Sequence, residues 1–185
     1  MKHMKKFAFL MILAVGLSSC SLFDVDVDSE ISEVLDIYVP EAMAKSTDAW
    51  HPLVEAKEIN ARENDDVEEY ADRIDEIVVN EIVATVLGVS DEDVVLSENT
   101  VFYILSETDS VAWSKGEAWP IYEDATFTFD NLGNKYDQAA AIIFHAATTE
   151  GESMFTIGVV GESSKPGINV QIEIKILDSF TVSIL

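Results

Sequence analysis

Hydrophobic and polar residues alternate with a period of two in several parts of the chain. The clearest example is Ile168–Leu177, where β-branched residues occupy the even positions and polar residues separate them. Successive side chains of a strand point to opposite faces of a sheet, so this pattern predicts a strand with one buried face. Phe23–Val27 alternates in the same way, and the alternation resumes less regularly as far as Val39. Strands are therefore predicted near both ends of the chain.

Shorter apolar runs bounded by turn residues predict further strands. These runs are Leu53–Ile59, Ile77–Leu87, Val94–Leu96, Thr100–Leu105, Ala125–Phe129, Met154–Val160 and Phe180–Ile184. Ser106–Pro120 has no comparable run, so we expect it to form a loop. That loop would carry Trp113 and Trp119.

Two stretches have helical features. Asn64–Ile74 begins with residues that can cap a helix, has an acidic first turn and carries apolar residues at helical spacing. Tyr136–Thr148 is rich in alanine, which favours a helix, although Ile142–Phe144 within it would also suit a buried strand. Eight or so strands with one or two short helices predict a mainly β fold. We expect one antiparallel β-sandwich of the immunoglobulin-like type.

The first twenty residues follow a different pattern. Three lysines precede Phe7–Leu17, an uncharged apolar run of eleven residues. As a helix this run would span about 16 Å, which is too short for the ~30 Å hydrocarbon core of a bilayer. It therefore predicts an N-terminal signal helix that is removed after export. Leu17-Ser18-Ser19-Cys20 resembles the bacterial lipobox, which implies cleavage after residue 19 and lipidation of Cys20, and leaves residues 20–185 as a single domain.

Cys20 is the only cysteine in the chain. A single cysteine in an oxidising compartment cannot form an intrachain disulfide, and lipidation would account for its presence. The alternative is an ordinary secretory signal with an incidental cysteine. Two or three acyl chains, each contributing about 0.8 kcal/mol per buried methylene, would hold the protein stably on a membrane. We expect this anchor to place the protein in the bacterial envelope, at the outer membrane.

The chain is strongly acidic. It contains 35 Asp and Glu but 11 Lys and Arg, and its formal net charge is −24. Cleavage would remove three lysines and no acidic residue, which changes the net charge to −27. Such a surface repels nucleic acids and anionic lipid headgroups, so we expect neither as a partner. A saline habitat and loose cation binding both remain open explanations of this charge.

The acidic residues include one spacing typical of a calcium site. Asp24, Asp26 and Asp28 match the beginning of an EF-hand loop, which then needs glycine at its sixth position and glutamate at its twelfth. Ser29 and Leu35 occupy those positions. We therefore interpret the three aspartates as solvent-facing residues of a strand, and we predict no metal and no cofactor.

Candidate catalytic groups are few. The sequence has no Gly-x-Ser-x-Gly motif. His51 and His145 would be the only histidines left after cleavage, the first in a loop and the second packed within an apolar run. Carboxylate pairs of the kind that cleave sugars occur by chance in so acidic a chain. We predict a protein that is not an enzyme, and a hydrolase without a recognisable motif is the last of three alternatives.

Trp113 and Trp119 distinguish the other two alternatives. If exposed on a loop, they could stack on sugar rings and form a carbohydrate-binding surface. If buried, they would close one end of the core, which is the interpretation we favour. The leading prediction is a non-enzymatic binding or assembly component of the envelope, with a protein or a polysaccharide as partner. A flat apolar patch on one sheet would favour a protein.

The order of these features resembles a group of uncharacterised Bacteroidota lipoproteins built as immunoglobulin-like sandwiches. In that group a lipobox is followed by a strand, a short helix and an apolar strand, as in Leu17–Cys20, Phe23–Val39, Asp65–Ile74 and Ile77–Leu87. The group ends with a helix and a strand pair around a proline-containing turn, as in Tyr136–Thr148 and Met154–Leu185. The resemblance implies an architecture and a location but no functional residue.

Overall fold

A computed structural model describes residues 24–41, 50–149 and 154–183 of the chain. The strands of these residues are β1 (Asp24–Val39), β2 (His51–Asn60), β3 (Ile74–Val89), β4 (Val94–Leu96), β5 (Val101–Leu105), β6 (Ser110–Ser114), β7 (Trp119–Ile121), β8 (Thr126–Thr128), β9 (Met154–Ser163) and β10 (Ile168–Ser183). The α-helices are α1 (Asp65–Tyr70) and α2 (Lys135–Thr148), and 3₁₀ turns at Ala61–Glu63 and Ala71–Arg73 flank α1. The predicted signal helix lies outside the described residues.

The strands form two antiparallel sheets that enclose one apolar core. The first sheet has the order β1-β10-β3-β8. In the second sheet β9 lies between β2 on one side and β5 and β4 on the other, and β6 and β7 pair with β5 and β4. Two layers of antiparallel strands with two short helices confirm the predicted mainly β sandwich.

The two long strands at the ends of the described chain lie side by side. β1 pairs with β10 without interruption from Asp24 opposite Ser183 to Val39 opposite Ile168. The even-numbered residues of β10 face the core, as the alternation predicts, and Ile172 and Ile176 are completely buried. The predicted strand at Phe180–Ile184 is the continuation of β10, which ends at Ser183 among the described residues.

β3 contains three β-bulges. Asp75, Asn80 and Leu87 are skipped in the pairing with β10, and each extra residue reverses which positions face the core. The buried residues of this strand are therefore spaced by three as well as by two, as between Ile74 and Ile77. The bulges let a strand without strict alternation remain amphipathic.

α1 is shorter than predicted. The Asn64 side chain caps it by accepting a hydrogen bond from the backbone N–H of Val67 at 3.3 Å, and Val67 is buried against the core. The helix ends at Tyr70, the chain tightens into a 3₁₀ turn, and Ile74 is already the first residue of β3. Ile74 is buried as the prediction required, but as part of a strand.

α2 confirms the helical interpretation of its alanine-rich sequence. Gly133 and Asn134 adopt left-handed backbone conformations in the turn that precedes it, with φ of 74° and 60°. Ile142 and Ile143 are buried on the helix face that packs against β3 and β6. The alternative of a strand at Ile142–Phe144 is therefore wrong.

A hydrogen bond of Tyr136 connects the first turn of α2 to the residue that follows β8. Its hydroxyl donates a hydrogen bond to the Phe129 carbonyl oxygen at 2.6 Å, and burial raises the pKa of this hydroxyl above the ordinary 10.0. We expect Tyr136→Phe to lower the free energy of unfolding by about 1 kcal/mol at neutral pH. Above pH 10 the unfolded chain loses this proton before the folded protein does, so the free energy of unfolding of the wild type falls as the pH rises. The variant lacks this hydroxyl, so its free energy of unfolding should fall less over the same pH range. Urea titrations at pH 7 and pH 10.5 test this prediction, which parallel losses in both proteins would contradict.

Candidate functional site

Trp113 and Trp119 lie in strands of the second sheet. Trp113 belongs to β6 and is completely buried, and Trp119 opens β7 with 4% of its surface exposed. The prediction of a loop over Ser106–Pro120 is therefore wrong. The pairing of β6 with β5 and of β7 with β4 makes strands of segments whose alternation is too short to recognise in the sequence. The buried alternative is confirmed, and the burial of both indoles contradicts an exposed sugar-binding pair.

The two tryptophans are part of an aromatic cluster that closes one side of the core. The Trp113 ring stacks on Phe129 with centroids 5.1 Å apart and planes 12° from parallel. Its indole N–H donates to the Asp130 carbonyl oxygen at 2.8 Å. Phe102 lies between this pair and Trp119, with centroid distances of 5.3 Å to Phe129 and 6.0 Å to Trp119. These contacts give both tryptophans a packing role.

The two histidines are on separate elements. His51 is the first residue of β2, where it is buried and lies opposite Ser163 of β9. His145 is exposed on α2, with its Nδ1 3.4 Å from the Thr149 hydroxyl. The prediction of a packed His145 is wrong because the buried face of the helix passes through residues 142, 143, 146 and 147, which leaves position 145 outside.

The three aspartates with calcium-like spacing are exposed on the outer face of β1. Asp26 accepts a hydrogen bond from the Thr181 hydroxyl of the neighbouring strand at 2.9 Å. Their placement confirms the interpretation as solvent-facing strand residues. Within the described parts of the chain, no group of three or more Asp, Glu, His or Cys side chains is arranged to hold a metal ion.

The predicted anchor residue, Cys20, lies outside the described residues, so its lipidation stays a prediction. In the segments that the structure does describe, no helix combines the length and the hydrophobicity needed to cross a membrane.

The outer face of the second sheet is almost free of charge where β2, β9, β5 and β6 lie side by side. Cross-strand pairing aligns its outward residues in three rows, Val54–Val160–Val101–Ser114, Ala56–Gly158–Tyr103–Ala112 and Glu58–Thr156–Leu105–Ser110. Only Glu58 among these residues carries a charge. We refer to the other eleven residues as the uncharged face. Val54 and Val160 are exposed and Val101 and Leu105 are half-buried, so this face is a partly exposed apolar surface on a highly acidic molecule.

Tyr103 and Gly158 form the centre of the uncharged face. A Cβ atom at position 158 would overlap the Tyr103 ring and lie 2.9 Å from the Glu55 carbonyl oxygen. Glycine therefore allows the tyrosine ring to lie directly on the sheet backbone. In the adjoining row, Val54 is 65% exposed and Val160 is 43% exposed. An aromatic ring thus lies at the middle of this surface with aliphatic groups beside it, and Glu58, Thr156 and Leu105 of the third row line a recess of about 340 Å³.

The outer face of the first sheet has the opposite character. β1 directs Asp24, Asp26, Asp28, Glu30 and Asp36 outward, all of them exposed. Lys175 of β10 pairs with Glu30 at 3.0 Å, and this hydrogen bond raises the lysine pKa. The two outer faces of the sandwich thus differ sharply in charge. The outer face of the first sheet is acidic, and the outer face of the second sheet is almost free of charge.

A cleft of about 550 Å³ separates the edge strands β1 and β2 of the two sheets. It is lined by four glutamates, but Glu33 forms an ion pair with Lys57 across the cleft and Glu30 pairs with Lys175. These contacts give both carboxylates a structural function, since they join the two layers and the strands of the first sheet. Two of the four glutamates of the cleft are thus held in ion pairs, and we take the uncharged face as the better candidate for a binding surface.

No protein-family model matches the chain, and no curated protein matches it. Among solved structures, it is similar to one of Desmodium yellow mottle tymovirus, with 9% identity, a TM-score of 0.30 and coverage of 87% of this chain and 90% of the other. It is also similar to a virus-like particle of the nodavirus of the giant freshwater prawn Macrobrachium rosenbergii, with 6% identity, a TM-score of 0.32 and coverage of 87% and 96%. At these TM-scores neither likeness bears on the function of this chain.

Proposed function

We propose that this chain is an exported lipoprotein of the bacterial envelope that binds a protein partner through the uncharged face. It is a non-enzymatic binding or assembly component, held by lipids on Cys20 at the outer membrane. The observation that carries the binding function is the largely apolar outer surface of the second sheet around Tyr103. The anchor is supported by the N-terminal sequence, in which a basic segment, a short apolar run and small residues lead to the only cysteine.

The shape of the uncharged face supports a macromolecular partner. Strands lie about 4.8 Å apart and successive residues on one face about 6.7 Å apart, so four strands and three rows cover about 400 Å². Eight of the twelve residues in this area are apolar or glycine, and apolar patches of about 300–600 Å² on a monomer are often functional. Small molecules prefer concave pockets that enclose them. The third row borders a recess of about 340 Å³, but the other two rows lie on the outward side of four paired strands, which suits the complementary surface of a protein.

A pair of photo-crosslinking variants tests the binding function. A diazirine amino acid replaces Val54, which lies in the uncharged face, or Val78, which is 46% exposed on the first sheet. The two positions match in residue type and both are exposed, Val54 to 65%, so they differ mainly in the surface that they report. On illumination of intact cells, we expect a specific protein adduct from position 54 and at least about tenfold less from position 78, a difference worth about 1.4 kcal/mol in an equilibrium. Equal adducts from both positions, or none from position 54, would contradict the proposal.

A further inference from the structure

We infer that the partner is a different protein whose contact surface has an apolar centre and a rim of lysine or arginine. This inference rests on the proposed binding function and specifies the chemistry of the partner.

The border of the uncharged face is acidic. Glu58 occupies the outer end of the third row, and Glu162 lies opposite Pro52, immediately beyond the first row. Glu107 and Asp109 lie in the turn between β5 and β6, beside Leu105. None of the outward positions of β2, β9, β5 and β6 carries a lysine or an arginine. A docked partner would therefore meet negative charge around an uncharged centre.

The size of the face brings this acidic border into the interface. A stable protein complex buries about 800 Å² on each partner, roughly twice the area of the three rows. A complementary surface must therefore extend over Glu58 and Glu162 as well as Tyr103. Opposite charges placed across such a rim speed association and select the partner, and like charges there disfavour the wrong partner.

The same electrostatics disfavour the other occupants. A second copy of this chain, docked face to face, would oppose its own acidic border to that of the first copy. An anionic lipid surface would meet the same repulsion. Tyrosine is among the residues that most often anchor protein interfaces, and the ring of Tyr103 is already held on the sheet by Gly158. A protein with an apolar centre and a basic rim can pack on Tyr103 and also pair with the acidic border.

Charge reversal separates this inference from the proposed function. The diazirine at position 54 is combined with Glu58→Lys and Glu162→Lys, or with Asp24→Lys and Asp28→Lys on the outer face of β1 as a control with the same change in net charge. We expect adduct yield in intact cells to fall about tenfold or more with the first pair and to stay within about twofold with the second. Mass spectrometry should identify a protein other than this one, with an excess of lysine and arginine on its surface. Circular dichroism melts check that each variant is folded.

Three results would overturn the inference. An adduct of twice the mass of this chain would identify a second copy as the partner. An equal loss of adduct yield with both charge pairs would indicate a general effect of net charge. No loss of adduct yield with the first pair would show that the acidic border does not take part in binding. In each of these cases position 54 still forms an adduct and the proposed function stands. Absence of any adduct from position 54 would refute the proposed function itself.

Discussion

Replacement of Trp113 by alanine should lower the free energy of unfolding by about 3–5 kcal/mol, the range for large aromatic residues removed from a core. The side chain is completely buried, so its loss leaves a cavity beneath β6. The variant also loses the stacking on Phe129 and deprives the Asp130 carbonyl oxygen of its indole donor. Domains of this size have total stabilities of about 5–15 kcal/mol, so we expect the variant to lose a large part of its stability.

Trp50→Ala is the matched control for Trp113→Ala. Trp50 is 44% exposed and lies immediately before β2, so the same chemical change should cost less than about 1 kcal/mol. Urea unfolding followed by circular dichroism measures both variants on one scale. Similar losses in the two variants would mean that Trp113 does not have the packing role assigned to it.

Replacement of Cys20 by alanine should release the protein from the membrane or leave its precursor uncleaved. Lipid attachment requires the thiol, and Cys20 is the only cysteine. The stable anchoring expected of two or three acyl chains then disappears altogether. Cell fractionation and labelling with a palmitate analogue measure the effect.

Ser21→Ala is the control for Cys20→Ala, because it changes the neighbouring residue and leaves the thiol in place. This variant should remain in the membrane fraction with its label. A Cys20→Ala protein of mature size that still sediments with membranes would contradict the proposed anchor.

The strands that the sequence predicts well are those that pair along their full length. β10 alternates from Ile168 to Ile176, and each of these residues has a partner in β1. The Ile77–Leu87 prediction found the middle of β3 but missed its ends, since bulges at Asp75, Asn80 and Leu87 disturb the period of two. The sequence did not predict β6, because it has only five residues and only Val111 and Trp113 among them are buried. Its strand conformation depends on pairing with β5, which a local pattern does not show.

The uncharged face could not be predicted from the sequence because it exists only after four strands pair. Val54, Val101 and Val160 are far apart along the chain, and each is one outward residue of an ordinary amphipathic strand. The register brings them into one row. The tryptophans are conspicuous in the sequence as large aromatic residues, whereas the centre of this surface is formed by the half-buried ring of Tyr103 on Gly158. Pairing between distant strands, which no local pattern encodes, decides where such a surface appears.

The order of the first sheet also determines when the protein can fold. β10 lies between β1 and β3, so neither long strand has its main partner until residues 168–183 are available. Closing so long a loop is entropically costly, and folds dominated by distant contacts form in milliseconds to seconds. A chain that crosses a membrane in the order of its sequence, as proposed for this one, would therefore stay unfolded during its whole passage. Its apolar strands would need shielding from aggregation until β10 emerges, and the domain would then close in one late step.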